Sequence, residues 1–142
     1  MGRIVSYRGL LANGGKNTIP LHTNDGKTGY KVVKFRIINS IPGGAGAENV
    51  MKIFKTDQVT VDSSVDFSDN TLLGVATWGQ NADHGAWTNS TIFDNEIFNQ
   101  DIYVTHKDEQ GGSANYYIEL EQMDITEDQA LVAIVKNLRN EQ

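Results

Sequence analysis

At 142 residues, with 18 acidic against 12 basic side chains and a formal charge of −6, the chain has the size of one ordinary domain. A surface of that sign repels phosphate backbones and argues against a nucleic-acid partner, and no apolar run approaches the ~18 residues of a membrane span. With no cysteine, disulfides, thiolate metal sites and a thiol nucleophile are excluded, and a cytoplasmic origin with stability from packing or assembly is expected.

The first predicted element is a strand over Arg3–Leu11, ending at Asn13-Gly14-Gly15, residues that tolerate positive φ and favour a tight reversal. Gly2 and Ser6 fit a loose myristoylation pattern, but Ile4, Val5 and Tyr7 read as ordinary strand. Residues 18–22 return as a short strand whose Pro20 suits a sheet edge, since proline donates no ladder hydrogen bond. After a turn at Asn24-Asp25-Gly26, residues 30–40 form the strongest strand of the first half. There Val33, Phe35 and Ile37 are expected on one face, with Lys34 and Arg36 on the other.

The glycine-rich residues 42–47 have nothing to pack with and are expected to be mobile or ordered by a neighbour. Strands follow over residues 50–56, a short 58–62 and 72–78, with residues 65–70 a connection pinned by Phe67. Residues 79–90, holding Asn81, Asp83, His84 and Trp87, read as a polar loop. Residues 101–106 and 115–123 alternate strictly and read as a hairpin across the glycine-containing residues 107–113. Tyr116, Ile118 and Leu120 take its buried face, and Tyr117, Glu119 and Glu121 look outward.

The period then changes. Thr126 and Gln129 make a capping-box pattern, and Leu131, Ile134, Val135 and Leu138 recur on one helical face. Acids precede this stretch and Lys136 and Arg139 close it, as the macrodipole favours. The fold class is therefore all-β: a single-domain antiparallel sandwich or barrel, jelly-roll-like, with one C-terminal amphipathic α-helix over about residues 126–139.

No chemical motif rises above this framework. Residues 9–16 lack the lysine placement and following helix of a phosphate loop. His22, His84 and His106 have no partner at metal-ligand spacing. Two acidic groups, Asp62/Asp66/Asp69 and Asp94/Glu96/Asp101, offer calcium-type oxygens without EF-hand spacing and read as solvated turns. There is no Gly-x-Ser-x-Gly elbow. No catalytic residue, metal or cofactor is assigned, and an enzyme is not expected.

Several stretches taken together carry a resemblance: Ile19-Pro20-Leu21, the residues 24–35 (NDGKTGYKVVKF), 65–70 (VDFSDN), 92–105 (IFDNEIFNQDIYVT) and 115–121 (NYYIELE). Over residues 18–140 the chain resembles small virion structural proteins of tailed phages that infect marine bacteria, cyanophages among them. That resemblance implies a particle component; the acidic, cysteine-free β fold with its exposed first strand and glycine loop then points to a decoration or cement protein on the outer capsid surface, made in the host cytoplasm. The expected partners are the major capsid protein and copies of the chain itself, a trimer being plausible, with neither nucleic acid nor membrane. Expected contact residues are Arg3, Ile4, Tyr7 and Arg8 of the first strand, Gly43 and Gly44 of the glycine loop, and Leu131 and Leu138 of the helix. The alternative is a tail or fibre module that binds a host-surface glycan through Trp78, His84 and Trp87, with calcium as an optional aid.

Overall fold

The structure is a computed structural model that describes residues 2–93, 96–126, 132, 134 and 135. Eight strands account for its regular structure: β1 (Arg3–Leu11), β2 (Lys16–Ile19), β3 (Thr28–Asn39), β4 (Ala47–Phe54), β5 (Leu72–Asn81), β6 (Gly85–Ile92), β7 (Ile102–Asp108) and β8 (Ala114–Asp124). They form two antiparallel sheets, β1-β8-β3 and β2-β7-β4-β5-β6, packed as a sandwich. β1 pairs with β8, β2 with β7 and β4 with β5, while Ser90 Oγ of β6 donates to the Phe35 carbonyl of β3 at 2.8 Å. This is a long hairpin, centred on the β4–β5 connection, wrapped into the nesting of a jelly roll. The sandwich reading of the sequence is thereby met, in its jelly-roll form.

Alternation explains the interior. Inward residues of both sheets form one core in which Phe35, Ile53, Ile118 and Leu120 are fully buried; each contributes about 1.5–3 kcal/mol by leaving water. In β8 the pattern is the expected one, with Tyr116, Ile118 and Leu120 inside. In β3 it breaks once. A register shift between Val32 and Lys34 moves the inward set from Tyr30 and Val32 to Phe35 and Ile37. Val33, expected beside Phe35, sits at that bulge, and Val32 takes the core position.

The two reversals that read as hairpins are corners between sheets. β1 belongs to the three-stranded sheet and β2 to the other, so Asn13-Gly14-Gly15, with Gly14 at φ 80°, carries the chain across the edge of the sandwich. Likewise β7 and β8 are in different sheets and do not pair. The second corner is built on Asp108, whose carboxylate accepts the amides of Glu48 (2.8 Å), Gln110 (2.9 Å) and Gly112 (2.8 Å). Burial pushes its pKa up, but these three amides outweigh that and hold it below the usual carboxylate range.

Behind this corner a polar chain crosses the core. Both ring nitrogens of His106 face oxygens, the Ala12 carbonyl at 3.1 Å and Asn49 Oδ1 at 2.8 Å; the neutral ring has one N–H and donates to one of them, and Asn49 donates to Asn39 Oδ1. Burial depresses the imidazole's pKa, against the pull of the Ala12 carbonyl and the Asp108 charge.

Four further expectations change. Residues 58–62 are irregular, and β2 lies at residues 16–19, ahead of Pro20, though at a sheet edge as expected. The polar stretch 79–90 is a hairpin, β5–β6. Asn81 Oδ1 accepts the Asp83 and His84 amides at 3.0 and 2.7 Å, and Gly85 adopts φ 71° to re-enter the ladder. The glycine-rich loop is held by its own chain: Gln80 Nε2 donates to the carbonyls of Ala45 (2.7 Å) and Ile41 (3.1 Å). Most of the stretch expected to be a C-terminal helix, with Leu131 and Leu138, lies outside the described residues; Val132, Ile134 and Val135 are helical. Among the described residues no helix is long and apolar enough to cross a membrane.

Candidate docking face and the tryptophan recess

The outer faces of the two sheets differ. On the five-stranded sheet, the β4–β5 connection (residues 55–71) is tied down by several side chains. Lys52 Nζ reaches Asp62 (2.9 Å) and the Ser64 carbonyl (2.7 Å), Lys16 Nζ reaches Asp57 (2.6 Å), and Ser63 donates to Glu109 (2.7 Å). A small second cluster, Phe54, Leu72 and Val75 with Val50 and Phe93, packs on this side, and Phe67 meets Phe93 edge-on. The Lys52 hydrogen bond holds the Asp62 carboxyl below its ordinary range. The ammonium of Lys52 thus occupies one member of the first calcium-type group. Asp66 and Asp69 instead cap turns through Ser68 and Thr71.

In the second group, Glu96 pairs with Lys55 at 3.5 Å and Asp101 accepts the Leu21 and His22 amides and the His22 ring. Burial raises the pKa of Asp101, and these bonds more than offset it. Asp94 lies outside the described residues. No group of three or more His, Cys, Asp or Glu suited to a metal occurs among the described residues.

The three-stranded sheet has no such cover among the described residues. Register places Arg8, Tyr117 and Arg36 in one row across β1, β8 and β3, and Leu10, Asn115 and Ile38 in the next. Leu10 is 59% exposed, Ile4 55% and Ile38 44%. Tyr117 donates to Glu119, and Lys34 and Lys31 approach Glu119 and Glu121, so these acids are locally neutralised. Arg8 and Arg36 form no ion pair among the described residues and leave two free guanidinium groups on an acidic protein. A groove of about 790 Å³ runs from Arg8, Leu10 and Tyr117 around the β3 edge to Thr88. Arginine, tyrosine and exposed aliphatic side chains in one patch are the composition of an interface anchor.

Of the expected contact residues, Ile4 and Arg8 point out on this face, whereas Tyr7 turns inward against the core and Arg3 is exposed at the strand end. Gly43 and Gly44 are exposed in the latched loop, which begins just past Ile38 at the end of β3. Arg36 and Ile38 lie outside the expected contact segments, because only the register of β1 and β3 against β8 makes them neighbours of Arg8 and Leu10.

The three residues of the expected glycan loop do not share a face. Trp78 pairs with Thr88 and packs on the core, its Nε1 donating to Gln80 at 2.9 Å. Trp87, one residue along, points to the opposite side, over Gly79. His84 is exposed in the turn. No protein-family model matches the chain, and no curated protein matches it.

Proposed function

We propose that this protein is a structural component of a phage particle, a decoration protein that grips the outer head surface through the open face of the β1-β8-β3 sheet. The observation that carries the reading is the asymmetry of the two exteriors. The chain's own connection covers part of one sheet, over Lys52, Phe54 and Leu72, while the other presents Arg8, Tyr117 and Arg36 in register beside Leu10 and Ile38. Leaving such a row bare costs solubility unless something covers it.

The remaining properties suit the role. The net charge of −6 keeps the protein away from packaged DNA and out of nonspecific contacts. Free guanidinium groups pair with carboxylates of a neighbouring subunit, and many modest contacts on symmetric positions sum by avidity. No residue is assigned a catalytic role.

Quantitative mass spectrometry of purified particles tests this. Decoration predicts roughly hundreds of copies per head, and heads from a deletion strain should rupture under heat or osmotic shock while still adsorbing to cells. A few dozen copies or fewer, with intact heads and lost adsorption, would instead make the protein a tail or fibre module.

A further inference from the structure

The outer face of the five-stranded sheet carries a recess of about 290 Å³ where the β4–β5 connection passes the end of β5 and β6. Glu48, Val50, Ser63, Thr77, Trp87 and Glu109 line it. Its floor depends on one glycine. Gly79 is the register partner of Trp87, and a β-carbon there would overlap the indole, which therefore rests directly over the backbone. So seated, Trp87 still has half its surface in water. Around it stand carboxylates. Glu48 has no hydrogen-bond or ion-pair partner through its side chain among the described residues, and Glu109 accepts only the Ser63 hydroxyl, at 2.7 Å. Ionised carboxylates accept and never donate, so a ligand here must bring donors and an apolar surface for the indole.

We propose that this recess binds a neutral pyranose unit of a polysaccharide. A sugar ring presents C–H groups on one face and hydroxyl donors around its rim. The C–H face stacks on Trp87, and neighbouring hydroxyls donate to Glu48 and to the second oxygen of Glu109. The hydroxyls of Ser63 and Thr77 can donate to or accept from the remaining groups. Two carboxylates reject uronic acids, sulfated sugars and phosphates. The site stands independently of the docking role, and it opens on the side of the sandwich away from the Arg8–Tyr117–Arg36 row, because the two sheets pack face to face.

The test is a ¹⁵N-detected NMR titration of the full chain with cellotriose, chitotriose and maltotriose, each to about 20 mM. The Trp87 indole N–H and the Gly79 amide should move saturably with at least one of the three, at a dissociation constant on the order of millimolar, while the Trp78 indole stays in place. Gly79→Ala keeps the tryptophan but unseats it, and should weaken binding about tenfold; an unmoved Trp78 indole signal in that variant reports an intact core. Glu48→Gln should weaken binding while preserving the shift pattern. Absence of saturable movement with all three sugars overturns the proposal, as does movement centred on Trp78. Saturation by trilysine with none by the sugars also overturns it, since the recess would then be a seat for a basic peptide.

Discussion

The exteriors of the two sheets are built from similar strands and end in opposite conditions. On β2-β7-β4-β5-β6 the chain spends residues 55–71 covering its own surface, buries Lys52 beneath them and pairs it with Asp62. On β1-β8-β3 the outer face holds exposed Ile4, Leu10 and Ile38 and two arginines with no ion pair among the described residues. Both sheets contribute to one interior, and they differ in what covers the outside.

If the interior is shared, damage on either side must reach both sheets. Leu120→Ala, in the strand that joins β1 to β3, removes a fully buried side chain. It should cost about 2–5 kcal/mol, read as a lowered urea midpoint in one cooperative transition seen equally by Trp78 fluorescence and by circular dichroism. Two separate transitions would mean the sheets are not one unit.

The covered exterior should register the loss of its latch. Asp62→Ala leaves the Lys52 ammonium with the Ser64 carbonyl and the face of Phe54 and should cost about 1–2 kcal/mol, less than a fully buried pair because Asp62 itself is largely exposed. Hydrogen exchange should accelerate in residues 55–71 and not in β1.

Acid should weaken the fold in two stages. The His106 pKa is depressed below its ordinary 6.5, so below that pH the unfolded chain takes up a proton that the folded protein refuses. Stability therefore falls as pH drops from 6.5 towards the folded value. Asp108 adds a second loss in stronger acid, as pH falls from its ordinary 3.8 through its lower folded value. Urea midpoints between pH 8 and pH 3 measure both, and His106→Gln should flatten the first stage.

The smallest effect on stability belongs to the open face. Arg8→Glu with Arg36→Glu changes two exposed residues that have no ion-pair partner among the described residues, and should leave the urea midpoint within about 0.5 kcal/mol. The same pair should abolish binding of the purified protein to heads that lack it, a separation of folding from docking that Asp62→Ala should not produce.

Alternation made the faces of β8 legible, and the class of fold with them, but in β1 the inward Tyr7 was grouped with the outward Ile4 and Arg8. It did not say which strand lies beside which. Residues 107–113 have the glycine and charge of a hairpin loop, yet three amides on Asp108 turn them into a corner, and that carboxylate's partners are set by the fold. β6 was hidden because Thr88, Asn89, Ser90 and Thr91 follow no apolar rhythm: the strand lies at a sheet edge, almost wholly exposed. Without β6 there was no way to see that Trp87 sits across from Gly79, or that Trp78 faces the other way. The docking row was half legible, with Arg8 evident from β1 and Arg36 joined to it only by the register through Tyr117.

Oxidative footprinting of the free protein and of intact particles compares the two exteriors directly. Docking through the three-stranded sheet predicts that Leu10, Ile38 and Tyr117 are oxidised in the free protein and protected on the particle, while Trp87 reacts equally in both. Protection of Trp87 with Leu10, Ile38 and Tyr117 still reactive would contradict the account.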